Sequence, residues 1–289
     1  MKAIISVAAR MTSRRLPGKT MADVAGRPML ERILDRLRDA GPEVVVATTS
    51  EPEDAPIVEL AQRMGVRAIE GSPTDLMVRH WQATNATHAD IICLAGADDP
   101  YLDPLLFDRL VARLSRGDVQ FVKSIGWPLG MNAWAWTREA MNEGNFLARA
   151  RDEREHVVPF WERRPHHYPA AFIVREPDLY DQFRVTVDTA SDLELVRTVA
   201  RYLGPAPTSE DVIAFLGDNP DIADINDDSP HGTEARDAIY DLAPVDDSID
   251  RLRGNLAIER RAALAAVPEQ GDFAQGRAAA LLSIDQTLG

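Results

Sequence analysis

The chain is 289 residues long, 45% hydrophobic and 27% charged, a balance that builds a soluble globular protein with one large α/β core or two smaller ones. Its 46 acidic residues outnumber 32 basic ones for a net charge of −14, which disfavours non-specific nucleic-acid binding and anionic membrane surfaces. The single cysteine, Cys93, excludes a disulfide framework and a CxxC metal site. The absence of an apolar run near ~18 residues, or of a leader-like N-terminus, gives the expectation of a cytoplasmic protein without membrane or nucleic-acid partners.

In chain order, residues 2–9 form a short apolar run that ends in a Gly/Pro-containing loop. Residues 27–39 follow with Met29, Ile33, Leu34 and Leu37 at helical spacing. A β-branched run at 43–48, an amphipathic stretch at 55–64, a strand at 66–69, a helix at 75–87 and a strand at 90–94 continue the alternation. Uniformly apolar strands separated by helices predict a doubly wound, mostly parallel sheet covered on both faces. Ligands of such sheets bind beyond the carboxyl ends of the strands, here the loops after Ala9, Thr48, Ile69 and Leu94. The second half is less regular. Strands are expected at 119–124, 133–136, 170–174 and 184–187, and helices at 138–149, 155–162 and 191–203. A polar helical pattern follows, then an Asp/Asn/Pro-rich loop at 219–231 and two short Ala/Leu/Arg-rich helices within 251–288.

Candidate chemistry concentrates after the first strand. The loop from Arg10 through Arg14, Arg15, Pro17 and Gly18 to Lys19 gathers four cations on an acidic chain around a backbone shaped by proline and glycine, a pattern suited to a polyphosphate. It is not a P-loop, because Gly18-Lys19-Thr20 lacks the earlier glycine of GxxxxGK[ST], and no GxGxxG occurs. Asp98 and Asp99, at the end of an apolar strand and before Pro100, have the chemistry of Mg²⁺ ligands, which need only one or two carboxylates beside phosphate and water oxygens. Asp188 closes another strand. Asp192, four residues on, sits in a first helical turn, where a carboxylate favours the helix dipole. Asp75 and Arg79 stand at i,i+4, the spacing of a surface ion pair. Arg154-Glu155-His156 opens a helix, and Trp127, Trp134 and Trp136 read as core or pocket wall.

The strings ARMTSRRLPGK, AGRPMLERILDRL, VVVATTSEPED, IEGSPTDLMVRHW, AGADDPYLDP, WPLG, REHVVPFW and RVTVDTASDLELV resemble, in this order, the cytidylyltransferases of the spore-coat polysaccharide biosynthesis protein F type. That family is related to the acylneuraminate and 3-deoxy-manno-octulosonate cytidylyltransferases. The resemblance covers residues 2–240, and DNPDIADIN at 218–226 echoes a segment that follows the catalytic part in some members. It implies a GT-A-like nucleotidyltransferase domain over 1–240, with 241–289 as a helical extension suited to a homodimer or partner contact. The implied reaction is Mg²⁺-dependent transfer of CMP from CTP to a sugar or sugar acid, with release of pyrophosphate, for surface polysaccharide precursors. By position, Arg10 and Lys19 hold the triphosphate, assisted by Arg15 and Gly18, and Asp98 and Asp188 bind the metal. Ser72, Asp75 and Arg79 lie against the base, and Gly130, Arg154, Glu155 and His156 lie on the acceptor side.

Three departures stand out. Members usually read GDCP where this chain has Ala97-Asp98-Asp99-Pro100, and STRLP where it has Ser13-Arg14-Arg15-Leu16-Pro17. After the Pro-x-Gly of Pro128–Gly130 they tend to carry an acidic pair, whereas Asn132 and Trp134 stand here. The last leaves the acceptor open. Two other readings remain at this stage: a nucleotide-sugar glycosyltransferase on the same fold, which the phosphate-gripping RLPGK loop disfavours, and a non-catalytic nucleotide-binding scaffold.

Overall fold

The computed structural model describes residues 1–229 apart from 169 and 205, so the helices expected within 251–288 and the extension at 241–289 lie outside the described residues. The elements are β1 Ala3–Ala8, β2 Asp23–Val24, β3 Arg27–Pro28, α1 Met29–Leu37, β4 Glu43–Thr49, α2 Ala55–Arg63, β5 Arg67–Gly71, α3 Leu76–Thr87 and β6 Ile91–Gly96. Then come α4 Pro104–Leu114, β7 Phe121–Ile125, β8 Trp134–Thr137, α5 Arg138–Leu147, α6 Arg151–His156, α7 Pro159–Glu162, β9 Ala170–Val174, α8 Ala190–Leu203, α9 Ser209–Asp218 and α10 Pro220–Ala223.

Seven strands form one sheet in the order β5-β4-β1-β6-β8-β7-β9, and all run parallel except β8. Alternation along each strand feeds two cores. Ile5 and Val7 of β1, with Cys93 and Ala95 of β6, face α1, α2, α4 and α8. Ile4, Ile92 and Leu94 face the opposite layer, with α3 and α5. Each fully buried Ile or Leu contributes about 1.5–3 kcal/mol. An aromatic layer lies at the second face, where Phe121 stacks on Trp136 at 5.0 Å and Trp136 meets Trp161 at 4.8 Å. The doubly wound, mostly parallel sheet expected from the alternation is therefore present.

Four expectations need correction. Residues 184–187 form no strand: only an isolated parallel bridge joins Leu129 and Arg184, and the Val187 amide donates instead to the Asp98 carbonyl, so no ladder propagates. The helix expected at 155–162 is two helices, because Val157 takes φ 67° and Pro159 has no amide to carry the α6 bonding pattern through. The expected loop at 219–231 contains α10 and a 3₁₀ turn, Asp224–Asn226. Finally, α4 was not anticipated, although Asp103 caps it through the Leu105 amide and Pro104 occupies its first turn.

Candidate active site

Strand β1 is flanked by β4 on one side and β6 on the other, so the chain reverses its winding there, and the crevice beyond the carboxyl ends of β1 and β6 is where this topology places ligands. The β1 loop is folded upon itself. The Met11 amide donates to buried Asp54 at 2.6 Å, the Thr20 hydroxyl donates to the Arg10 carbonyl at 2.9 Å, and the Gly18 amide donates to the Met11 carbonyl at 2.9 Å. Gly18 takes φ +75°, a conformation open to glycine at little cost, and turns the chain into a short 3₁₀ helix that begins with Lys19.

That turn drives the Lys19 side chain inward. Its ammonium donates to Asp98 at 2.7 Å, to Asp188 at 2.9 Å and to the Val187 carbonyl at 2.6 Å. Burial works against the charged amine, but the two carboxylates outweigh it and its pKa rises. Asp188 also forms an ion pair with Arg15 at 2.7 Å and accepts from Arg184 at 2.7 Å. Burial opposes its charge, yet Lys19, Arg15 and Arg184 hold its pKa below the usual carboxylate value. Gly96 lets the β6 carboxylates approach: a Cβ there would lie 2.3 Å from Asp98 Oδ1 and 2.6 Å from Asp99 Oδ2. Desolvation and the neighbouring Asp98 push the Asp99 carboxyl well above its ordinary value.

Behind this cluster Arg184 donates to Asp192 at 3.0 Å, and Asn226 donates to Asp192 at 2.7 Å and to the Arg184 carbonyl at 3.1 Å. Asp192 also completes a capping box with Thr189 at the start of α8, so its helix-terminal reading is correct but partial. These supports escaped the sequence reading. Their only signal was the spacing of Arg184, Asp188 and Asp192 by fours, and DNPDIADIN, whose last residue is Asn226.

A cavity of about 250 Å³ opens beside the cluster, walled by Arg15, Gly130, Asn132, Trp134, Thr186 and Asp188 among others. Gly130 has φ +99°, and a Cβ on it would come within 2.4 Å of the Thr186 amide nitrogen, so only glycine lets the two segments touch.

The remaining expected residues take other partners. Asp75 caps α3 through the Val78 amide and pairs with Arg154 of α6 at 2.6 Å, not with Arg79. Arg79 is instead buried, with one donation to the Ala47 carbonyl at 3.4 Å and an unpartnered Nε; burial and Arg10 lower its pKa to about 10. The Arg10 side chain is exposed, but its charge reaches Arg79. The Ser72 hydroxyl accepts from the Thr74 amide at 3.4 Å. Glu155 bonds to Arg151 at 3.0 Å and feels Arg14; His156 is exposed at the end of α6. Thus Arg15, Lys19, Asp98, Asp188 and Gly130 form one centre, while Arg154 pairs with Asp75 and none of Arg154, Glu155 and His156 lines the cavity.

No group of three or more His, Cys, Asp or Glu among the described residues is preassembled as a metal site. The donor set nonetheless fits Mg²⁺: two carboxylates converge on one point now held by the Lys19 cation, and Mg²⁺ takes its remaining ligands from phosphate and water.

A doubly wound sheet whose first loop aims cations at a carboxylate pair across the switch point defines the α/β nucleotidyltransferase class. Comparison with known proteins sharpens this: the cytidylyltransferase family profile matches residues 3–200. A cytidylyltransferase structure from Leptospira borgpetersenii superposes with TM-score 0.73 at 30% identity, covering 77% of this chain and 97% of the other. The protein MJ1063 of Methanocaldococcus jannaschii is 30% identical over 78% of this chain and 95% of its own length. The spore coat polysaccharide biosynthesis protein SpsF of Bacillus subtilis is 25% identical over 75% and 95%. The chain belongs to the cytidylyltransferase family. No helix among the described residues is long and apolar enough to cross a membrane.

Proposed function

We propose that the protein transfers CMP from CTP to a hydroxyl of a sugar or sugar acid, releasing pyrophosphate, in the making of surface polysaccharide precursors. The observation that carries this reading is the Lys19 ammonium between Asp98 and Asp188 at the mouth of the β1 loop. Asp98 and Asp188 would hold Mg²⁺, which would supply charge neutralisation at the phosphates. In this reading Lys19 turns from the carboxylates to the triphosphate, where Arg10 and Arg15 add charge from the loop. The acceptor oxygen forms a bond to the α-phosphorus as the bond to the bridging oxygen breaks, the pyrophosphate leaves with that electron pair, and the hydroxyl proton passes to solvent. The chain's contribution is positioning and charge, consistent with a cluster of fixed cations on an acidic protein.

The base lies, in this reading, at the ends of β4 and β5. Support comes from the Thr48 hydroxyl, Arg79 Nε and Gln82 Oε1, all buried without partners, and from Gly71, where a Cβ would fall 2.0 Å from Gln82 Oε1. Arg154 and Asp75 brace this side together, with Ser72 in the preceding turn. Cytoplasmic CTP and a homodimer are part of the proposal, and sedimentation equilibrium of the full chain tests the latter. The direct test offers four nucleoside triphosphates with Mg²⁺ and a panel of sugars and sugar acids, scored for pyrophosphate. Release with CTP alone is expected; release with none, from folded protein, overturns the proposal.

A further inference from the structure

Asp54 stands at the N-cap of α2, where an aspartate ordinarily accepts from an amide of its own helix, yet its side chain makes no such bond. The carboxylate is only 1% exposed and serves other elements. One oxygen accepts from the Met11 amide of the β1 loop at 2.6 Å, and the other accepts from the Thr49 hydroxyl at the end of β4. The Thr49 oxygen accepts in turn from the Glu51 amide at 3.2 Å. One buried carboxylate therefore bolts the residue after Arg10 to the tip of the neighbouring strand.

Arg10 is pinned on both sides by such bonds. The Ala9 amide donates to the Ala47 carbonyl of β4 at 3.1 Å, the Arg10 carbonyl accepts from the Thr20 hydroxyl at 2.9 Å, and Asp54 holds the Met11 amide. The backbone that launches the Arg10 side chain is thus fixed, while that side chain stays exposed. By charge alone, an anion beneath a loop of cations works against a polyanionic ligand, and its field reaches Arg79 as well. What Asp54 gives the site is placement, through charge-assisted hydrogen bonds that are stronger than neutral ones. We propose that Asp54 is a positioning residue for the triphosphate, tying Met11 to Thr49 so that the β1 loop presents Arg10 to the phosphates. The inference rests on the proposed cytidylyl transfer and adds to it a residue that touches no substrate.

The test uses the full chain with CTP and Mg²⁺, read by calorimetry, beside hydrogen-exchange mass spectrometry of residues 10–19. Thr49→Val changes no charge and removes only the hydroxyl. It is expected to weaken CTP binding about tenfold and to speed exchange in 10–19, while β6 and α4 keep theirs. Asp54→Ala is expected to weaken CTP binding at least as much. Asp54→Asn keeps an oxygen for the Met11 amide and an NH₂ for the Thr49 oxygen, so it is expected to bind CTP about threefold or more tighter than Asp54→Ala. Equal CTP affinity in Asp54→Ala and Asp54→Asn would assign the effect to charge and overturn the inference. So would a Thr49→Val variant that binds CTP as the wild type does, or exchange that rises equally over the whole sheet. Thr49→Val is nearly isosteric and remains a folded probe if Asp54→Ala does not fold. The two levels separate in the wild type: CTP bound there leaves the parent reading standing whatever the variants do, and a wild type that binds no CTP sinks both.

Discussion

Lys19 and Asp188 lie 169 residues apart in the chain, and the Lys19 ammonium donates to the Asp188 carboxylate at 2.9 Å while also bridging to Asp98. In the proposed reading this amine occupies the point between the two carboxylates that Mg²⁺ would take. Lys19→Ala is expected to have opposite effects on two quantities. Turnover of CTP, read as kcat/KM by pyrophosphate release, should fall about a hundredfold to a thousandfold, the loss typical of one preorganised charge. Affinity for Mn²⁺ without nucleotide, read by electron paramagnetic resonance, should rise, because the two carboxylates lose their internal counter-ion. Unchanged Mn²⁺ affinity would show that the metal does not use this pair.

The two aspartates differ in what surrounds them. Asp98 has its side chain 33% exposed and one cationic partner, whereas Asp188 is 18% exposed and faces Lys19, Arg15 and Arg184 together. Asp98→Asn and Asp188→Asn should both abolish turnover. Only Asp188→Asn should lower the stability measured in urea, by about 1–3 kcal/mol, because it leaves buried donors facing an amide. Equal loss of stability in both variants would contradict this division of labour.

How far the sequence reaches is visible in these residues. Apolar alternation over the first 96 residues led to β1, α1, β4, α2, β5, α3 and β6 because strands covered on both faces leave few positions for polar side chains. The cationic loop was legible for the same reason, since Arg14, Arg15 and Lys19 stand out on a chain of net charge −14. The partners were not. Arg184 and Asp192 each look like ordinary surface charges at short range, and only the return of the chain along the Asp98 loop, with Asn226 closing behind them, converts them into a buried support. The Asp75–Arg79 pair failed for a related reason. Helical spacing allows it, but the tertiary position of Arg154 on α6 supplies a better-placed cation, and Arg79 turns toward the sheet.

Gly130 joins the wall of the cavity to the segment that carries Asp188. At φ +99°, with the Thr186 amide nitrogen 2.4 Å from any added Cβ, Gly130→Ala forces the Leu129–Arg184 bridge apart. A loss of about 2 kcal/mol or more in unfolding free energy is expected, with a larger increase in KM for the acceptor than for CTP. Thermal denaturation and steady-state kinetics check this together. An alanine variant as stable and active as wild type would remove Gly130 from the site's framework.

His80 lies on α3 directly after Arg79 and is fully enclosed, its Nδ1 2.8 Å from the Ser6 hydroxyl of β1. Burial, reinforced by the Arg79 charge, depresses its pKa from 6.5 to about 3. The folded protein therefore keeps this ring neutral at pH values where the unfolded chain protonates it. Between those two values the unfolded state binds the extra proton, so stability rises with pH. The contribution is complete above pH 6.5 and is lost, by up to about 1.4 kcal/mol per unit, as pH falls toward the folded value. His80→Gln keeps polar atoms near Ser6 but cannot titrate. Urea denaturation at pH 7.5, 6.0 and 5.0 should give a shallower acid decline for the variant than for wild type, even where the variant is less stable at pH 7.5. Parallel declines would mean that His80 does not carry the acid sensitivity of this fold.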